Sequence, residues 1–217
     1  MGLALRNITH SYGDAAGNVL HNVSLEVPSG QMLGLAAPSG AGKSTLLSIA
    51  AGMTIPVSGE VQVGAAAERG ALAVSYLPQS PRAYADPRLT LAATITAPLS
   101  FAQGSLRPRP KRFSGELAAA CAQAELDPRL LSRKPGEVSD GQLQRALMAR
   151  TLITDPLVVI ADEPTAQLDY ETTRLIFSTL CRRATQGSAV LVASHDVDTL
   201  QEFCTSVVRL GQPIKNL

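Results

Sequence analysis

The residues best suited to chemistry form a short run, Ala37-Pro-Ser-Gly-Ala-Gly-Lys-Ser-Thr45. Its spacing is Ala or Gly, four residues, then Gly-Lys-Ser. It follows an apolar, strand-like run directly and opens a helical pattern, which is the context this motif requires. Gly40 and Gly42 let backbone N–H groups from Ser39 to Thr45, including that of Ala41, close around phosphate oxygens. A helix starting near Lys43 adds its positive end. Lys43 can then reach the β- and γ-phosphates of a nucleotide, and Ser44 can offer its hydroxyl to Mg²⁺. A glycine-rich turn that binds nothing is the bland alternative, and the in-frame Gly-Lys-Ser-Thr between strand and helix argues against it. Ala37, at the motif's first position, adds a methyl group at the tight turn and removes no ligand.

A second site of chemistry lies at Leu157-Val-Val-Ile-Ala-Asp-Glu163. Apolar residues run to the end of a strand, and two carboxylates follow at its tip, the edge where ligands of open α/β sheets sit. Asp162 is placed to hold Mg²⁺, directly or through water. Glu163 can accept a proton from an attacking water. Alone, such a pair reads as a solvated turn, and the phosphate loop upstream reverses that reading. His195 also follows an apolar strand and lies on the same edge.

The elements that must position these residues alternate between short apolar runs and longer helical patterns. Strands are expected at 3–8, 19–27, 31–37, 59–63, 72–77, 157–161, 188–193 and 205–210. Residues 33–37, 157–161 and 189–193 are apolar throughout, as in strands of a parallel sheet covered on both faces. Helices are expected at 43–51, 90–97, 115–125, 141–154, 170–184 and 196–203. The strands before about residue 30 pair best as an antiparallel hairpin or small sheet. Residues 80–155, with several prolines and few strand signals, read as a mostly helical lobe inserted into an α/β core.

Composition narrows the classes. The 217 residues suffice for one sizeable domain, and 45% hydrophobic with 17% charged residues describes a globular chain. A net charge of +1 and 4% aromatics without Trp leave no footprint for nucleic acid, so no nucleic-acid partner is expected. The run Arg107-Pro-Arg-Pro-Lys-Arg112 reads as a solvated linker, because its prolines break any groove-fitting helix. Cys121, Cys181 and Cys204 show no metal spacing and fit a reducing compartment. The opening residues lack a secretory pattern, and no apolar stretch reaches the roughly 18 residues of a membrane helix.

Beyond these local readings, the chain resembles the ATP-binding cassette (ABC) family along nearly its whole length. Val138-Ser-Asp-Gly-Gln142 is similar to the family signature Leu-Ser-Gly-Gly-Gln. The resemblance implies that Ser139, the Gly141 backbone and Gln142 meet the γ-phosphate held by a second subunit. It also implies that Gln79, in Tyr-Leu-Pro-Gln, senses Mg²⁺ and couples to a membrane partner. Ala166-Gln-Leu-Asp169 resembles the loop at the dimer seam. His195 matches the switch histidine, and Tyr12 the aromatic that stacks on adenine.

The implied fold is α/β. It comprises a P-loop NTPase core with a mostly parallel sheet, an N-terminal antiparallel β subdomain and an inserted helical subdomain at about 80–155. Residues 1–217 would form one ABC ATPase domain. The implied cofactors are ATP and Mg²⁺, with Ser44, Gln79 and Asp162 on the metal and Lys43, Glu163 and His195 in catalysis. The implied partners are transmembrane permease subunits and a second cassette, as homodimer or heterodimer, on the cytoplasmic face of the membrane.

Asp140 departs from the family pattern, where glycine is usual. Its carboxylate near a polyphosphate is unfavourable unless it points away or pairs with a base such as Arg145. Asp86-Pro-Arg-Leu-Thr90 and Pro98-Leu99 are similar to the peptide and nickel importer ATPases. The compact size equally suits ATPases of lipoprotein-release or macrolide-efflux systems. Soluble non-transport cassettes usually carry paired cassettes or long insertions, and the chain shows neither.

Overall fold

The computed structural model describes residues 2–13, 19–38, 40–64, 70–166 and 168–210. Strand β1 (Leu3–His10) lies antiparallel to β2 (Leu20–Val27). β1 buries Leu3, Ala4, Leu5, Ile8 and His10, and β2 buries Leu20, Leu25 and Val27, while their other residues are exposed or half-buried. Register shifts interrupt the β1 pairing around Asn7 and opposite Asn22, and both asparagines adopt left-handed φ values of 52° and 49°. Asparagine tolerates that conformation, so these are bulges built from suitable residues.

β3 (Met32–Ala36) is buried throughout and leads into α1 (Lys43–Ala50). The chain then returns through β4 (Ser58–Val63), which pairs antiparallel with β1 and completes a sheet ordered β2-β1-β4. The antiparallel hairpin or small sheet expected from the first strands is a three-stranded sheet, closed by a strand from beyond the phosphate loop.

β5 (Val74–Leu77) precedes the helical lobe: α2 (Pro81–Tyr84), α3 (Leu91–Ala102), α4 (Ser114–Gln123) and α5 (Asp140–Leu152). Sequence periodicity ends α3 before Pro98, but the helix continues for another turn. The reason is tertiary. Leu91 and Ile95 are fully buried and Leu99 packs on the same core, so the apolar face extends past the proline. The Thr96 and Ser100 hydroxyls also donate to the Ala92 and Thr96 carbonyls, at 2.8 and 2.9 Å. The Arg107–Arg112 run ends in a short 3₁₀ turn over Pro110–Phe113.

The chain finishes with β6 (Val158–Asp162), α6 (Tyr170–Thr185), β7 (Ala189–Ser194), α7 (Val197–Phe203) and β8 (Ser206–Arg209). The second sheet has five strands in the order β5-β6-β7-β3-β8, and every adjacent pair is parallel. β6 and β7 are buried at every position, as the uninterrupted apolar runs predict.

The two faces of the parallel sheet feed two cores. Val159, Ala161, Val190 and Val192 pack with Leu91, Leu117, Leu143 and Phe177 of the helices. Val158, Ile160 and Leu191 pack with Leu46 and Leu47 of α1 and with Leu3 and Leu5 of β1. The helical lobe thus shares its core with the sheet that carries the phosphate loop.

Gly34 on β3 allows α7 to approach closely. A Cβ there would stand 3.1 Å from Cys204 Sγ and 3.2 Å from Leu200 Cβ. Gly34→Val should destabilise the fold by about 1–3 kcal/mol through overpacking. Urea unfolding checks this: an unchanged midpoint would mean that α7 does not rest on β3.

Candidate functional site

The strand order explains why distant residues meet. β5, β6, β7 and β3 are neighbours, so their C-terminal ends share one edge. Gln79 follows β5, Asp162 ends β6 with Glu163 next after it, His195 follows β7, and the phosphate loop follows β3. A cleft of about 670 Å³ opens there, lined by Gly40, Gly42, Lys43, Ser44, Thr45, Gln79, Glu163, Ala166 and His195 together with Val19. Ser39 and Gln167 lie outside the described residues.

The loop geometry is set by glycine. Gly40 and Gly42 have φ values of 80° and 88°, a region that glycine enters without steric cost. Gly42 is the N-cap of α1, no side chain caps this helix, and its first turn carries no acid. Its first N–H groups and dipole are therefore available to an anion. A Cβ on Gly42 would also lie 2.9 Å from Leu20 Cδ2 and 3.1 Å from the Val19 carbonyl oxygen.

Lys43 is only 6% exposed, and its ammonium folds back beneath the loop. It donates to the Ala37 and Pro38 carbonyls at 2.6 and 3.3 Å and stands 3.3 Å from Glu163 Oε1. The other Glu163 oxygen is 2.6 Å from Nδ1 of the exposed His195. Glu163 is thus held between a buried cation and an imidazole. Its backbone φ is 40°, a conformation disfavoured for a non-glycine residue by about 1–3 kcal/mol. Its N–H donates to the Ala193 carbonyl of β7, which ties the turn down.

Asp162 is 4% exposed. Oδ2 accepts from the Tyr76 hydroxyl at 3.1 Å, while Oδ1 is buried without a partner. Burial, and then the Asp162 charge, push the Tyr76 phenol far above its ordinary range, so it remains a donor at any physiological pH. Among the described residues no cluster of three His, Cys, Asp or Glu could cage a metal. One buried carboxylate with a free oxygen, next to a hydroxyl-bearing phosphate loop, suits Mg²⁺, which takes few protein ligands beside phosphate oxygens. Tyr12 is 59% exposed, and its hydroxyl lies 3.1 Å from Thr45 Oγ1 on α1. His10 meets its ring edge-on at 4.9 Å.

The signature residues do not line this cleft. Ser139 caps α5, accepting from the Gln142 N–H, while the Gln142 side chain accepts from the Ser139 N–H. This reciprocal capping box accounts locally for Ser and Gln at that spacing. Gly141 faces Thr172 of α6. Asp169 caps α6 through Thr172, and those hydrogen bonds from the Thr172 N–H and hydroxyl lower its carboxyl pKa. Ser139, Gly141 and Asp169 therefore gather at adjoining helix starts, apart from the phosphate loop.

Sequence reasoning missed two residues here. Arg145 does not neutralise Asp140: it reaches the Glu125 carbonyl instead, at 3.4 Å. Asp140 pairs with Arg82 Nε at 2.6 Å, an acid–base contact between segments far apart in sequence. Gln144, 1% exposed, donates to the Pro78 and Pro164 carbonyls. Its only sequence signal was its place four residues after Asp140.

A phosphate loop on a parallel sheet, with acids and a histidine on the same edge, defines a P-loop nucleotide-binding protein. A profile of ABC transporters matches residues 20–166. The chain is 30% identical to the cell division ATP-binding protein FtsE of Mycobacterium tuberculosis, over 97% of this chain and 93% of that one. It is 33% identical to the phosphonates import ATP-binding protein PhnC of Hyphomonas neptunium, over 99% and 86%. A dimeric structure of the MJ0796 ABC transporter cassette superposes with a TM-score of 0.82 at 28% identity, covering 96% of this chain and 94% of that one. The chain belongs to the ABC transporter family and is an ATPase of that family.

Gly42→Ala would force φ = 88° on a residue with a side chain and press it onto β2. Without nucleotide, its unfolding free energy should fall by about 1–3 kcal/mol. Denaturant titration gives the value, and parental stability would mean the loop relaxes freely.

Proposed function

We propose that the chain binds ATP with Mg²⁺ in the cleft and hydrolyses it between two cassettes to energise separate transmembrane permease subunits. The observation that carries this reading is the Lys43–Glu163–His195 chain beside the phosphate loop, with Ser139 and Gly141 facing elsewhere. One copy supplies the phosphate loop but not the signature, so a complete site takes both from a head-to-tail pair. The dimeric MJ0796 cassette supports such a pair, a homodimer or a heterodimer with a second cassette. On this reading residues 1–217 act as a single cassette, peripheral to the cytoplasmic face of the membrane. Among the described residues no helix is long and apolar enough to cross one.

In the proposed reaction the polyphosphate replaces Glu163 as the anionic partner of Lys43. Tyr12 stacks on the adenine. Backbone groups from Ser39 to Thr45 hold the phosphates. Released from Lys43, Glu163 accepts the proton of the attacking water, and His195 keeps Nδ1 on Glu163 while Nε2 faces the γ-phosphate. Ser44, Gln79 and Asp162 would hold Mg²⁺, which neutralises charge on the β- and γ-oxygens. From the second copy, Ser139, the Gly141 backbone and Gln142 complete the γ-phosphate contacts, and Asp169 lies at the seam.

The finer reading is import. Relatives named for zinc and phosphonates import support it, at 31% identity for ZnuC of Photorhabdus laumondii and 33% for PhnC of Hyphomonas neptunium. Import of peptide or nickel chelates rests on Asp86–Thr90 and Pro98-Leu99. Part of that stretch serves local structure, since Asp86 accepts from the Arg88 N–H and Thr90 caps α3.

Glu163→Gln keeps the shape and removes the proton acceptor. Steady-state hydrolysis should drop by about 10² to 10⁴, while nucleotide binding, followed by a fluorescent analogue, survives. Unchanged turnover would remove Glu163 from the reaction. Light scattering of the same variant should show a dimer with ATP and Mg²⁺ and a monomer with ADP. An identical mass with either nucleotide would place the sandwich in a complex with a different second subunit.

A further inference from the structure

The first turn of α5 grips the glutamine segment on both sides of Gln79. Asp140 and Gln144 are four residues apart and share one face of the helix. Gln144 Nε2 donates to the Pro78 carbonyl at 3.2 Å, just before Gln79, and to the Pro164 carbonyl at 2.8 Å, just after Glu163. Asp140 Oδ1 meets Arg82 Nε at 2.6 Å, just after Gln79. Arg82 also donates through Nη1 to the Pro135 carbonyl and through Nη2 to the Val138 carbonyl, both at 3.1 Å. Its guanidinium thus spans the approach to Ser139 with every nitrogen engaged. A cavity of about 310 Å³ lies between these grips, lined by Gln79, Arg82, Asp140 and Gln144.

We infer that Arg82 and Asp140 are positioning residues that lock the signature segment to the Gln79 segment, so that a ligand engaging Gln79 also sets how Ser139 is presented to the second copy. Glycine at 140 would leave Arg82 its carbonyl contacts only. The aspartate adds a charge-assisted hydrogen bond and takes its own charge out of play. This assigns the departure from the usual signature residue a purpose: its carboxylate is spent on Arg82 rather than aimed at a phosphate. Gln144, nearly fully buried, provides the rigid half of the grip. The ion pair, whose side chains are 48% and 60% exposed, provides the half that solvent and salt can weaken.

The inference rests on the proposed sandwich, and a double-mutant cycle separates the two. In the Glu163→Gln background, the ATP concentration for half-maximal dimerisation is measured for the parent, Asp140→Asn, Arg82→Ala and the double variant, alongside their melting temperatures. Each single change should raise the midpoint roughly two- to five-fold, the scale of an exposed ion pair. The double variant should match Arg82→Ala, and melting should stay near the parent's. Raised salt should move the parent's midpoint toward that of Asp140→Asn and leave the variants nearly still. Effects that multiply in the double variant would show that the two residues act separately and would overturn the coupling alone. A lower midpoint for Asp140→Asn would show that the carboxylate opposes closure and would also overturn it. Midpoints that shift only in proportion to lost folded protein would reduce the pair to a structural role. A parent that never dimerises on ATP would overturn both the sandwich and the coupling built on it.

Discussion

The buried ammonium of Lys43 is the constraint around which the site is arranged. A cation only 6% exposed must be paired, and here its partners are two carbonyls of its own loop and the Glu163 carboxylate. Glu163 comes within reach because β6 lies one strand from β3, with β7 between them. The intervening strand delivers His195 to the second oxygen of the same carboxylate. The parallel alignment of these strands is therefore an electrostatic requirement as well as a packing one. A slip of one residue in β6 would turn Asp162 or Glu163 away from the edge.

This arrangement places charge where a ligand can exchange it. With no acid in the first turn of α1 and no side-chain cap, the loop offers unsatisfied donors beside a cation held by an internal anion. The Asp162 oxygen without a hydrogen-bond partner is a buried acceptor on the same edge. Leaving such a group buried costs about 1–3 kcal/mol. Donors and an acceptor left open on one strand edge support the metal–polyphosphate site proposed for this cleft.

Much of this was readable before any coordinates. The three uninterrupted apolar runs foretold β3, β6 and β7, because strands buried on both faces lose the alternation of an exposed sheet. The functional residues expected near strand ends do lie on one edge, since that pattern is local and each motif carries its own strand. What was not readable was long-range or small. Helix α2 is too short to show a period. The turn of α3 beyond Pro98 depends on a core that propensity does not register. The Arg82–Asp140 pair joins the first and last helices of the lobe, and no spacing rule links them, so the sequence suggested the nearer Arg145. The Ser139–Gln142 capping box was present as Ser-x-x-Gln, and its likeness to a family motif drew attention from its plainer role in starting a helix.

The left-handed backbone at Glu163 has an evolutionary reading. At φ = 40° the position suits glycine or asparagine better than glutamate. A change to either residue would ease the backbone but leave the buried Lys43 ammonium without its carboxylate partner. Glu125 also takes a left-handed φ, 49°, but only at 163 does the glutamate pair a buried ammonium, that of Lys43. Position 163 is thus tied to position 43 in any lineage: a descendant that loses this carboxylate must also re-pair or lose the buried ammonium.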